Sequence, residues 1–243
     1  MPAERPEGTG PAEVGDEAPF EADLPRWARS DLAWPLALAC GFLGTWLGLS
    51  TGAADLAVPT ALLLYVPLAW RLRSLGRGGL LPFLGGAFLI GVAAAVAGTS
   101  FEAGPGATAE RLRFVELLAP ASPEAPWATL ARNVGLLAVL VLPGRLAGGL
   151  VSVGLAGLAT AALASPAAAA AVGAPDPLQA FLLLLPPQLV LVVGGGAFAG
   201  GVLGAAAPGR APRRELLVAG LALAALGLVA QGLWVRAAAS WAP

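Results

Sequence analysis

Seven apolar stretches rich in Leu, Ala, Val and Gly fill residues 32 to 236, and four of the six segments between them carry arginine. Each stretch is continuous rather than alternating. A hydrocarbon core about 30 Å thick takes roughly 20 apolar residues of helix, and only helices or closed barrels satisfy backbone polar groups inside it. The absence of a two-residue alternation selects helices. The expected fold is therefore all-α, a polytopic transmembrane helix bundle with the lipid bilayer as its first partner.

The spacing predicts spans at Ala33 to Leu49, Leu56 to Trp70, Leu80 to Gly98, Trp127 to Leu142, Leu146 to Ser165, Leu178 to Ala207 and Leu216 to Val235. The second and fourth are short: at 1.5 Å per residue they cover only about 24 Å, so the expected count is six to seven. The sixth is too long for one straight crossing. Pro186-Pro187 falls a third of the way along it, where a kink or break is expected.

Composition narrows the function. Hydrophobic residues make up 57% and charged residues 12% of the chain, with a mean hydropathy of +0.77, more apolar than a soluble core requires. All 14 basic residues are arginine and the net charge is -1, which leaves no basic surface for nucleic acid. The chain has no histidine, which removes Ser-His-Asp, HExxH and the usual histidine metal centres, and without lysine no Walker sequence exists. Asp55, Glu102, Asp176 and Glu215 fall at or beyond span ends, so no acidic relay crosses the membrane. Cys40, the single cysteine, reads as a small packing residue. No catalytic, cofactor-binding or metal site is expected, and the chain is read as not an enzyme.

Residues 1–31 are a different material, rich in Pro, Gly and acidic side chains and without apolar periodicity. They are expected to form a disordered cytoplasmic tail without the pattern of a signal peptide. With the N-terminus inside, Arg26, Arg29, Arg71, Arg73, Arg77, Arg145, Arg210, Arg213 and Arg214 face the cytoplasm and Arg111, Arg113, Arg132 and Arg236 face out. That asymmetry favours N-in and C-out in a bacterial cytoplasmic membrane. The sizeable outer loop, 99–126, can form a short amphipathic helix with Leu112, Val115 and Leu118 on one face. It would rest on the bundle or the membrane surface, or receive an extracytoplasmic partner.

Small residues recur at every fourth position: Gly44 and Gly48; Gly144, Gly148 and Ser152; Gly196, Gly200 and Gly204. Such stripes let helix backbones approach closely, either inside one subunit or in a homo-oligomer. Among the polar residues in or beside spans, Arg132 and Asn133 open the fourth, Gln188 follows the proline pair, and Gln231 lies one turn from the last outer interface. Helix-helix hydrogen bonding is their simplest role; contact with a ligand or partner is the alternative.

Residues 80–236 resemble the stage II sporulation protein M family of bacterial integral membrane proteins. The resemblance runs through "FLGGAFLIGVAAAVAG", an outer amphipathic segment, "LARNVGLLAVLVLPGRLAGG" with its Asn-containing start, "LQAFLLLLPPQLVLVVGGGAFAGGVLG", the basic loop "PGRAPRRE" and a last span ending "LVAQGLWV". Where many members have His-Gly after the proline and then Glu, this chain has Pro187, Gln188 and Leu191. Gln231 stands where an acidic residue is common. Spans at 32–79 lie outside the resemblance as an N-terminal addition. The resemblance implies a non-enzymatic membrane scaffold that recruits membrane or cell-wall-associated protein partners. The alternative is the membrane (permease) subunit of a transporter driven by a separate ATPase.

Overall fold

The computed structural model describes residues 25, 28–103, 126–206 and 211–241, and these are helical apart from turns and short connections. The acidic tail up to residue 24 and the amphipathic face of Leu112, Val115 and Leu118 lie outside the described residues. Eight α-helices are described: α1 (Ser30–Ser50), α2 (Ala57–Ser74), α3 (Leu81–Ala103), α4 (Pro126–Val141), α5 (Leu150–Ala171), α6 (Pro177–Leu184), α7 (Gly194–Ala205) and α8 (Arg214–Trp241). A π-helical turn, Gln188–Val193, leads directly into α7.

By length and composition, six helical stretches among the described residues are able to cross a membrane. One of them, Leu130–Ala171, has 42 residues, about 63 Å if it ran straight and twice what a bilayer needs. It does not run straight. Between α4 and α5 the chain passes through a 3₁₀ segment, Leu142–Gly149, in which Leu146 is extended and Ala147, Gly148 and Gly149 take left-handed φ values of 47°, 66° and 88°. Three successive left-handed residues turn the chain back, so α4 and α5 are two antiparallel legs. Ala147 is, among the described residues, the one non-glycine with positive φ, a conformation that costs about 1–2 kcal/mol.

Contacts fix the direction of each leg. Gly44 and Gly48 of α1 lie on Ala61 and Ala57 of α2, an antiparallel pair. Gly85 faces Val153 and Phe88 faces Gly157, so α3 and α5 run together. Gly196 faces Leu137 and Leu140, and Gly200 faces Ser152 of α5 and Leu140 O of α4, so α7 runs with α4. Gly195 meets Ala224 and Gly227 meets Leu191, so α8 runs against α7. Gly201 reaches Pro82 at the start of α3 while the Phe181 ring of α6 meets Phe101 at its end, 6.3 Å apart. The α6, π-turn and α7 segments therefore form one broken leg that traverses the same depth as α3.

Two legs are central. In its most apolar window α3 is 72% buried and the leg ending in α7 is 67% buried, against 22% for α8. Tyr65 and Phe88, ring centroids 5.0 Å apart, fill the contact between α2 and α3. Exposed apolar side chains, among them Leu43, Leu63, Leu183, Leu226 and Val229, cover the outside as a lipid-facing surface requires. The two helices ahead of residue 80 belong to the same core: a Cβ on Gly41 would strike Phe88 O, and one on Gly91 would strike Leu38 O.

Several expected boundaries shift, for local reasons. Helix α3 runs on through Ala103 into the segment assigned to the outer loop, and there the buried Thr99 and Ser100 hydroxyls are satisfied by donating back to Ala95 O and Val96 O, both at 2.8 Å. Helix α5 starts at Leu150 rather than Leu146 and extends through Pro166 to Ala171, carried by an alanine run of high helix propensity. Helix α2 ends at Ser74, where Gly76 at φ 74° allows Arg77 N–H to bond Leu72 O at 2.9 Å and Gly76 N–H to bond Arg73 O at 3.1 Å. Gly148 was expected on a helix face with Gly144 and Ser152. It lies instead in the left-handed turn, where its backbone still meets Gly204.

The stripe on α7 has an unambiguous steric reason. A Cβ on Gly200 would lie 2.7 Å from Leu140 O and 2.5 Å from Ser152 Oγ, and one on Gly204 would strike the backbone of Gly148 and Gly149. Gly98 has nothing within 4 Å of its Cβ position. We therefore expect Gly200→Ala to destabilise the protein by about 1–3 kcal/mol, as overpacking does. Gly98→Ala should be neutral or stabilising by up to about 1 kcal/mol through helix propensity. Unfolding of both variants in mild detergent measures the difference, and equal stabilities would contradict the packing.

Candidate functional site

The broken leg is where the interior becomes polar. Helix α6 begins with Asp176, whose Oδ1 accepts from Gln179 N–H at 3.0 Å, and with Pro177 at the first helical position. It stops after two turns because Leu185, preceding a proline, is held extended (φ -59°, ψ 121°). Pro186 and Pro187 have no N–H to give. The next residue that does, Gln188, has lost its helical acceptor because the helix ended four residues earlier. Gln231 of α8 supplies one: Gln188 N–H donates to Gln231 Oε1 at 3.2 Å.

The Gln188 side chain completes the arrangement by donating through Nε2 to Asn133 Oδ1 of α4. Asn133, Gln188 and Gln231 are 2%, 4% and 2% exposed, so all three amides are removed from lipid. One residue on the broken leg thus ties α4 and α8 together. Wide π-helical turns are frequent at functional sites, and the turn here restarts the leg directly at the amide cluster. Arg132, adjacent to Asn133 in sequence, is exposed.

The amides are neutral hydrogen-bonding groups, suited to holding helices or a polar ligand and unable to act as acid or base near pH 7. Among the described residues no three His, Cys, Asp or Glu side chains come together as metal ligands would. The described carboxylates, Asp31, Asp55, Glu102, Asp176 and Glu215, belong to the ends of helices or the turns beside them. Inside the bundle, the Thr45, Ser152 and Ser165 hydroxyls are buried with no hydrogen-bond partner among the described residues. Ser152 Oγ lies against Gly200.

Charge separates between the two ends. The starts of α1, α3, α5 and α8 share one end with the finishes of α2, α4 and α7. That end carries Arg29, Arg71, Arg73, Arg77, Arg145, Arg213 and Arg214 with Asp31 and Glu215. Among the described residues, the opposite end carries Asp55, Glu102, Asp176, Arg132 and, in the last part of α8, Arg236.

The sequence-selected residues therefore fall into three groups. Asn133, Gln188 and Gln231 meet; Gly196, Gly200 and Gly204 line one packed face; Gly44 and Gly48 line another, between α1 and α2. Sequence reading singled out the three amides separately and did not pair them. The pairing follows from the proline pair, which leaves an N–H that a neighbouring helix must satisfy. No protein-family model, curated protein or solved structure matches this chain.

Removing the Gln188 side chain strands Asn133, so Gln188→Leu and Asn133→Leu should each cost stability and the double variant less than their sum. A coupling of about 0.6–1.7 kcal/mol is expected for such a bond in a membrane protein. A double-mutant cycle on unfolding in detergent gives the value, and strict additivity would refute the cross-helix bond.

Proposed function

We propose that the protein is a non-enzymatic scaffold or assembly component of a bacterial cytoplasmic membrane, similar in role to stage II sporulation protein M. One observation carries the reading: the polar groups at the break of its central leg bond to one another across three helices, which makes a rigid bundle rather than a reaction centre. The resemblance of residues 80–236 to that family supports the same role. The partners are membrane or cell-wall-associated proteins received on the outer segment around Leu112, Val115 and Leu118, and the glycine faces leave a homo-oligomer open as a second mode of assembly.

The orientation belongs to the same proposal. The arginine-rich end lies in the cytoplasm, with the N-terminus inside and the C-terminus outside. Topology reporters fused to the two termini test this: opposite sides are expected, and both ends on one side would overturn it.

A second reading, the permease subunit of an ATPase-driven transporter, is favoured by the proline-broken leg with its π-turn, since discontinuous helices line many transport paths. Reconstitution separates the two readings. A scaffold moves no solute in liposomes and captures a membrane or wall partner, with capture weakened by Leu112→Ser, Val115→Ser and Leu118→Ser together while insertion persists. Reproducible solute flux from liposomes holding this chain alone would overturn the scaffold and favour transport.

A further inference from the structure

Helices α2 and α5 do not close on each other along their whole length. Between them runs a groove of about 970 Å³, open along the bundle's side and lined by apolar residues such as Val58, Leu62, Val66, Val151 and Leu155. Its character changes at one end only. There Arg73 enters the lining beside Ala147 and Gly148 of the left-handed turn, and its guanidinium lies so close to Gly148 that a Cβ on that glycine would strike Nη1. Arg73 is exposed, and among the described residues no carboxylate pairs with it. Arg71 and Arg145, also exposed, stand at the same end of the bundle.

We propose that this groove binds one anionic phospholipid from the leaflet at the arginine-rich end, with an acyl chain between α2 and α5 and the phosphate on Arg73. Shape and charge both point to that occupant. From Val58 to Arg73 the groove follows α2 for about 22 Å, at first over the seam where Val58 and Leu62 lie on Gly157 and Gly154 of α5, and this is more than the half-thickness of a hydrocarbon core about 30 Å deep. An acyl chain of one leaflet therefore fits along it. The single cation sits at the polar-headgroup end of that path, where guanidinium forks match phosphate oxygens. A packed partner helix would be expected to meet small residues along its contact. Most of the lining is Val, Leu and Pro, with Ala69 on α2 and Gly154 on α5 as isolated small residues rather than a stripe, and its one ionic feature is terminal. Basic pockets between membrane helices at the headgroup level are a known physical form of lipid recognition.

The test uses the full chain purified in a mild neutral detergent. Thermal unfolding is followed while phosphatidylglycerol, phosphatidylcholine or inorganic phosphate is added. Phosphatidylglycerol should raise the midpoint by about 3–6 °C at tenfold excess over its Kd, with little change from the other two. Arg73→Gln should abolish the increment by removing the phosphate contact, and Val151→Trp should abolish it by filling the groove. Arg214→Gln, which removes a cation at the same end but outside the groove, should leave it intact. Should either groove variant misfold, native mass spectrometry of the unmodified protein still decides the matter, by retention of one phosphatidylglycerol in preference to phosphatidylcholine. Equal stabilisation by phosphatidylcholine, or equal loss in Arg214→Gln and Arg73→Gln, would overturn the proposal. So would protection by inorganic phosphate alone.

Discussion

Backbone-to-backbone approach at glycine holds this bundle together. In lipid, two apolar helices gain nothing by leaving the solvent for each other, so association depends on dispersion contacts and on hydrogen bonds. Those contacts grow as the helix axes come closer, and side chains set the limit. On α7 the limit is removed at Gly196, Gly200 and Gly204, and the backbone settles against α4, the left-handed turn and α5. The turn itself depends on the same contact: Gly148 and Gly149 supply the left-handed conformation and also the surface that Gly204 meets. Gly41 and Gly91 do the equivalent work between α1 and α3, backbone carbonyl against Cα in both directions.

Against that close-packed frame, the break at Pro186-Pro187 is a tolerated interruption with its own compensation. Two prolines remove two donors and displace the next, and an unpaired backbone group in a bilayer costs several kcal/mol. Gln231 answers the displaced N–H of Gln188, while Asn133 accepts from the same residue's side chain. The three amides convert a weak point into a place where α4, the broken leg and α8 are joined by directional bonds. Helix α8, only 22% buried in its most apolar window, gains there an anchor in addition to its packing on α7.

Much of this was legible in the sequence, since continuous apolar runs and the proline pair state the helices and the break directly. The small-residue stripes are periodic in the sequence, and Gly44, Gly48, Gly196, Gly200 and Gly204 each lie against a neighbouring segment. The chain reversal was less accessible: "GRLAGG" reads equally as a continued helix with a Gly-Gly end, and only the contacts of Gly148 and Gly149 with α7 decide for left-handed backbone, even at Ala147. The continuation of α3 past Gly98 was hidden because Thr99 and Ser100 read as polar loop residues, whereas they are buried with their hydroxyls on the helix's own carbonyls. The groove beside Arg73 was invisible for another reason: it depends on where α2 and α5 fail to meet, which no local pattern records.

The most direct measurement of the central claim is disulfide formation across the α4 and α7 contact in native membranes. With Cys40 replaced by Ser, cysteines are placed at Leu140 and Gly196, where the glycine's Cβ position is 3.2 Å from the Leu140 Cβ, near the 3.5–4.5 Å usual for a disulfide. Glycine-mediated packing within one subunit predicts a rapid intramolecular cross-link, with the protein remaining a monomer on a non-reducing gel. A cross-link found only between copies, or none under oxidation that links an exposed control pair, would contradict it.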